Sequence, residues 1–238
     1  MTISLFEECI SDIDFAYKDL GHKLGWRFLS VSKSIFDAPI KLVVVTINPA
    51  GNEIPKGHPW ESCESGVSYV VEKWGTSLPG EETLQIQVQH LFKELCTSLN
   101  FKGSNINLMA QSLIAHFIPF RSPRFKSLHN KEQSIKFGLR LWGKILPAVK
   151  PKLIICLGRE VQKQMRTLID SQLSGKCSKK VPFQTGWGKY EAELEIYKIS
   201  NGEIRLLYLP HLSTWTLFTS KKSAPNMPGI IKAATKGL

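Results

Sequence analysis

The chain lacks the features that announce most common chemistries. Its five cysteines, Cys9, Cys63, Cys96, Cys156 and Cys177, are scattered, and none forms a C-x-x-C pair. Zinc and iron–sulfur ligation therefore lack their usual spacing, and neither a metal nor another cofactor is expected. There is no G-x-x-x-x-G-K-[ST] and no G-x-G-x-x-G, so the loops that cradle nucleotide phosphates are missing. No run approaches the roughly 18 apolar residues that a membrane helix needs. The start carries Glu7, Glu8, Asp12 and Asp14 rather than a basic region followed by an apolar one. No membrane partner is expected, and the default location is the cytoplasm. Acidic side chains are scarce: 20 Asp and Glu stand against 31 Lys and Arg, a formal charge of +11. That excess favours a polyanion, most commonly nucleic acid, over a basic but indifferent surface.

Order is present in the hydrophobic pattern. Leu42 to Ile47 is a continuous, β-branched apolar run, as in a strand buried on both faces of a parallel sheet. It stops at Asn48-Pro49-Ala50-Gly51, because Pro49 has no N–H and Gly51 admits backbone angles other residues resist. Further strands are predicted over 26–31, 113–118, 153–157, 193–200 and 203–209. The last two flank Asn201-Gly202, a strong hairpin signal. Helices are predicted over 3–24, 81–99, 129–149, 159–173 and 228–235. The irregular stretch 52–79 is long enough to carry function, with 65–74 as a possible helix. Residues 174–189, rich in Lys, Gly and Ser, read as an exposed basic loop.

Alternating strands and helices imply an α/β fold: a central, mostly parallel sheet of about four strands between layers of helices. One domain is expected over 1–238, with 1–37 an N-terminal helical or extended addition and a core from about 38 to 235. A monomer is expected.

Three apolar runs end in polar or proline-containing turns: Ile47-Asn48-Pro49, His116 to Arg121, and Leu209-Pro210-His211. If these strands are parallel neighbours, Asn48, His116 and His211 meet at the carboxyl edge of the sheet, where open α/β sheets bind ligands. Each has a second reading from the residues alone. Asn48 also suits a side-chain turn cap, His211 a satisfied loop histidine and His116 a core histidine.

At this point the chain resembles the uracil-DNA glycosylase superfamily. Asn48-Pro49-Ala50-Gly51 is similar to the family's first motif, written G-x-N-P-G or G-Q-D-P-Y-H. His211-Leu212-Ser213 is similar to its second motif, H-P-S. Leu153 to Gly158 resembles the strand ending in Leu-Gly between them, and Ala115 to Pro123 the strand whose Asn often reads the base. Thr46 stands for the first motif's Gly, Ala50 precedes its second Gly, and Leu212 stands for the second motif's Pro.

The resemblance implies a monofunctional DNA glycosylase that flips a base from single- or double-stranded DNA and hydrolyses its C1′–N bond. Asn48 would orient the water and His211 would donate to the departing base. Ile47, Ala50, Gly51, His116 and Phe117 would line the base pocket. Arg121, Arg124, Ser213, Thr214, Trp215, Leu217, Lys221 and Lys222 would contact DNA, with Trp215 or Leu217 as the wedge. No motif places a lysine for Schiff-base chemistry. Where fast family members carry a bulky Tyr after the Pro, this chain has Ala50. That implies room for a 5-substituent, up to the hypermodified cytosines of phage DNA and a defence role. The same fold with a decayed, DNA-binding site is the alternative.

Overall fold

The computed structural model describes residues 4–54, 66–200 and 202–238. Six strands form one sheet: β1 (Leu42–Thr46), β2 (Leu113–His116), β3 (Leu153–Leu157), β4 (Lys176–Trp187), β5 (Tyr190–Ile199) and β6 (Gly202–Leu209). Their order is β2-β1-β3-β6-β5-β4. The first four are mutually parallel and correspond to the expected sheet; β5 and β4 extend it antiparallel beyond β6. Every residue of β1, β2 and β3 is buried, which is why these strands read as unbroken apolar runs rather than alternations.

The main helices are α1 (Leu5–Asp19), the short α2 (Ser68–Val71), α3 (Thr83–Leu99), α4 (Asn105–Ala110), α5 (Lys131–Val149), α6 (Arg159–Gln172) and α7 (Met227–Thr235). Some of their starts are chemically marked. Ser4 caps α1 with Glu7 reciprocating, and Ser104 caps α4 with Asn107 reciprocating. None of the described helices is long and apolar enough to cross a membrane.

Two expectations are corrected. Residues 26–31 form no strand; isolated antiparallel bridges join Trp26 to Phe120 and Leu29 to Ala115. The predicted basic loop is mostly strand β4, paired with β5 from Lys176↔Lys198 to Trp187↔Tyr190. Its lysines signalled solvent correctly but not conformation. An edge strand has one free side, and charged side chains there discourage pairing with another chain. The predicted turn residue Asn201 and the loop residues 55–65 lie outside the described residues.

The added hairpin is fixed to the parallel core by charge. Arg166 of α6 reaches both Glu193 (2.5 Å) and the buried Glu195 of β5, and Gln162 donates to Glu193 at 2.6 Å. Burial raises the Glu193 carboxyl, but donation from Gln162 and Lys180 outweighs it and the net shift is downward.

Two histidines are held neutral in the interior. His22 stacks on Phe120 (4.1 Å between ring centroids) and meets Ser134 Oγ at 3.0 Å, and burial lowers its pKa to about 4. Burial, then the charges of Arg27 and Arg121, lowers that of His116 to about 3. Both values lie below the ordinary 6.5, so the unfolded chain binds more protons than the folded one beneath that pH. Their neutral burial is without penalty above 6.5 and costs progressively more stability as pH falls towards 4 and below. The urea midpoint should therefore drop between about pH 7 and pH 4, and His22→Gln should remove part of that drop. The same pH slope in the variant would show that His22 does not contribute.

Candidate active site

The end of β1 is stapled to the chain that follows β2. Phe117 N–H donates to Thr46 O (2.8 Å), Ile118 N–H to Ile47 O (2.8 Å) and Ser122 N–H to Pro49 O (3.2 Å). The two segments thus run side by side past the end of the sheet, and Asn48 emerges between them. Its Nδ2 group faces Ser122 Oγ (2.9 Å), Pro49 O (3.1 Å) and Phe120 O (3.3 Å). Among the described residues nothing donates to its Oδ1. The side chain is therefore held by its donor end, with an acceptor left for something else.

Arg121 braces the same loop. Its guanidinium donates to Ala50 O and lies against Gly51, where an added Cβ would come within 3.1 Å of Arg121 Cδ and Nη1. Gly51 has φ 129°, a conformation that side chains resist, so the backbone at this position favours glycine.

His211 follows β6 through Pro210. Gly158 N–H donates to Leu209 O (2.9 Å), which holds the end of β6 to the end of β3. Thr214 and Trp215 N–H both donate to His211 O at 3.0 Å, wrapping a tight turn around it. Ser213 N–H donates to His211 Nδ1 at 3.3 Å, and Ser213 Oγ lies 2.7 Å from the same nitrogen. A nitrogen that accepts a backbone N–H carries no proton, so the neutral ring bears its proton on Nε2. Burial lowers the imidazole pKa from 6.5, which favours that neutral form.

The sheet register brings these side chains to one height. Thr46 pairs with His116, Val45 with Cys156, and Leu157 with Leu209, so Thr46, His116, Leu157 and Leu209 share a row. Asn48 and His211 each lie two residues beyond it, on strands flanking β3. Two strand spacings separate them by roughly 10 Å. Between them Gly158 ends β3 and opens α6, and a Cβ on Gly158 would sit 3.8 Å from His211 Cδ2.

Other expected site residues fall into different places. Ile47 is half-buried and Ala50 exposed beside Asn48. His116 is buried in the row beneath, its Nδ1 2.6 Å from Thr46 Oγ1. Phe117 is fully buried, and so is Leu217, so neither presents a side chain to a ligand in this conformation. Their apolar bulk, read as pocket wall and wedge, fills the core instead. That leaves Trp215, half-buried, at the surface. Arg124, Ser213, Thr214, Lys221 and Lys222 are exposed, whereas Arg121 is committed to the Ala50 carbonyl. A cavity of about 540 Å³ lies before β1, at the opposite edge of the sheet, lined by residues such as Phe6, Phe36, Asp37 and Ile40. It holds none of these groups.

Two contributors were missed in the sequence. Ser122 anchors Asn48, and only the pairing of segments shows it. Arg27 is buried and bonds Glu72 at 2.8 Å, and Trp74 Nε1 donates to the same carboxylate at 2.8 Å. Arg27 sits in a stretch read as a short strand, and Glu72 in the part of the irregular stretch, 65–74, read as a possible helix. Nothing in the sequence pairs them.

A family model described as the uracil DNA glycosylase superfamily matches residues 34–233. No curated protein matches the chain. The geometry makes a direct spectroscopic prediction. Long-range ¹H–¹⁵N correlation at about pH 7 should find His211 protonated on Nε2, with a titration midpoint below 6.5. A ring protonated on Nδ1 would contradict the Ser213 arrangement.

Proposed function

Because the chain belongs to the uracil DNA glycosylase superfamily, a family of DNA glycosylases, we propose that it excises a pyrimidine from DNA by simple hydrolysis, with Asn48 and His211 as its catalytic pair. The observation that carries this reading is the placement of an acceptor and a donor at one height across β3, each oriented by the protein rather than by solvent. Hydrolysis of an N-glycosidic bond asks for two things. The electrons of the breaking C1′–N bond move onto the base, so its O2 gains negative charge. Water must then add to the cationic sugar carbon and lose a proton.

His211 answers the first demand. Its Nε2–H is a neutral donor in a partly buried site, and its ring needs no reorganisation when charge develops. Asn48 answers the second through Oδ1, the end its anchors leave free. An amide orients water but is a feeble base, so the proton leaves to solvent or to the departing base. This combination suits a base that already departs readily, or a slow enzyme. Glu53 is exposed nearby and is not required by this scheme.

The substrate reading rests on Ala50 and Gly51. A methyl side chain and a hydrogen stand where family members selective for uracil carry a bulky ring. With no bulky ring there, and with the Arg121 side chain packed against Gly51, the site suits a pyrimidine with a large 5-substituent, including the hypermodified cytosines of phage DNA, and a role in defence follows from such a substrate. The test is a panel of matched duplexes carrying uracil, 5-hydroxymethylcytosine or glucosylated 5-hydroxymethylcytosine. Abasic sites should form from at least one modified cytosine. Release from uracil alone would sink the enlarged-pocket idea, and binding without release from any duplex would favour a DNA-binding module.

Asn48→Ala and His211→Ala should each lower single-turnover base release by about 10²–10³, the usual effect of losing one preorganised group. Full activity in both would refute the mechanism. The pH profile follows from the neutral ring. Activity should stay level on the alkaline side of 6.5 and fall below it, because protonating Nδ1 breaks the Ser213 contact and makes the ring cationic. An inflection above 6.5 would argue for another titrating group.

A further inference from the structure

The hairpin of β4 and β5 is absent from the four-stranded parallel core, yet its tip comes to the edge of the sheet that carries Asn48 and His211. Glu193 pairs with Tyr208 in antiparallel register, so three residues further along each strand Tyr190 stands level with His211. The tip turns over Gly188 and Lys189, joining Trp187 to Tyr190. There it meets Trp215, four residues after His211. The Tyr190 and Trp215 rings are 4.0 Å apart between centroids and tilted by 37°. Trp187 and Trp215 are 5.6 Å apart and edge-on.

This contact is built rather than incidental. Trp187 Nε1 donates to Ser223 Oγ at 3.0 Å. Gly186, at φ 90°, lets the hairpin backbone press on the loop so closely that a Cβ would fall 2.0 Å from Lys222 O. Only glycine permits that approach. The cluster is nevertheless not sealed. Tyr190 remains 40% exposed, one of few large apolar side chains so placed. Lys189 and Lys222 are exposed beside it, and the Lys222 ammonium lies 5.6 Å from the Trp187 ring centroid. The lysines at the start of β4, Lys176 and Lys179, are roughly 25–35 Å away along the strand and do not contribute.

Exposed aromatic rings flanked by cations suit one ligand above others, a single strand of nucleic acid. An unpaired base stacks on the ring while lysines meet its phosphates, and duplex bases offer no free face for this. We infer that the hairpin tip is a second DNA-contacting element, in which Tyr190, backed by Trp215 and Trp187, stacks an unpaired base next to the reaction site. The inference extends the proposed function to the form of the DNA, a strand locally opened beside the target. It does not depend on base release.

The test is fluorescence anisotropy with a labelled oligothymidylate and with an unmodified duplex, using the full chain. Tyr190→Ala should weaken binding to the single strand by roughly tenfold. It should change duplex affinity less than twofold, and Tyr190→Phe should retain the single-strand affinity. Lys189→Gln should reduce the salt dependence of single-strand binding. Equal loss for both DNAs, or no loss for the single strand, would overturn the stacking role. Near-ultraviolet circular dichroism of Tyr190→Ala separates a lost contact from a collapsed hairpin; a spectrum unlike that of Tyr190→Phe would shift the comparison to Lys189→Gln, whose unchanged single-strand affinity and salt slope would overturn the proposal. Base release from the modified duplexes is scored separately, so the two readings fail independently.

Discussion

Parallel register across β1, β3 and β6 is the constraint on which the rest of this structure depends. Parallel strands in successive crossovers all point the same way, so their carboxyl ends form one edge. The row of Thr46, Leu157 and Leu209 sets that edge, and equal two-residue extensions bring Asn48 and His211 beyond it. A slip of one residue on β1 or β6 would turn every side chain of that strand to the other face of the sheet. Burial of all of β1 and of the last four residues of β6 penalises such a slip, because polar groups from the turns would enter the core. The relative placement of Asn48 and His211 is thereby a consequence of core packing.

At the edge itself, hydrogen bonds rather than packing select which atom of each side chain is offered. Asn48 is held by its amide donors and offers an acceptor; His211 is held at Nδ1 and offers a donor. The two therefore present opposite polarities across β3. Low solvation reinforces this, since burial keeps the histidine neutral. Arg121 shows the same economy of means. A cation that reads from sequence as a phosphate contact instead fixes the backbone around Ala50 and Gly51.

The legibility of these elements followed burial. Strands buried on both faces produced unbroken apolar runs, and amphipathic helices produced their period, so β1, β2, β3 and most helices were readable. β4 was not. An edge strand contacts the sheet by its backbone ladder along one side, and backbone pairing leaves little mark on composition when the side chains face water. Leu217 misled for the complementary reason. A large apolar side chain in a basic loop suits a wedge or the core equally, and the loop's fold decides between them. Ser122, Arg27 and Glu72 were invisible because their partners are far away in sequence.

By itself the sequence determined the α/β class, the basic charge, and the identity of two polar residues that interrupt buried strands at their ends. These are local properties: apolar periodicity, the backbone limits of proline and glycine, and a count of ionisable groups. Tertiary structure alone decided that Asn48 offers its oxygen, that His211 bears its proton on Nε2, and that Trp215 rests on an aromatic hairpin tip. Each of those depends on which distant backbone group or ring comes within contact range, and the strand pairing that brings them there is a property of the assembled sheet.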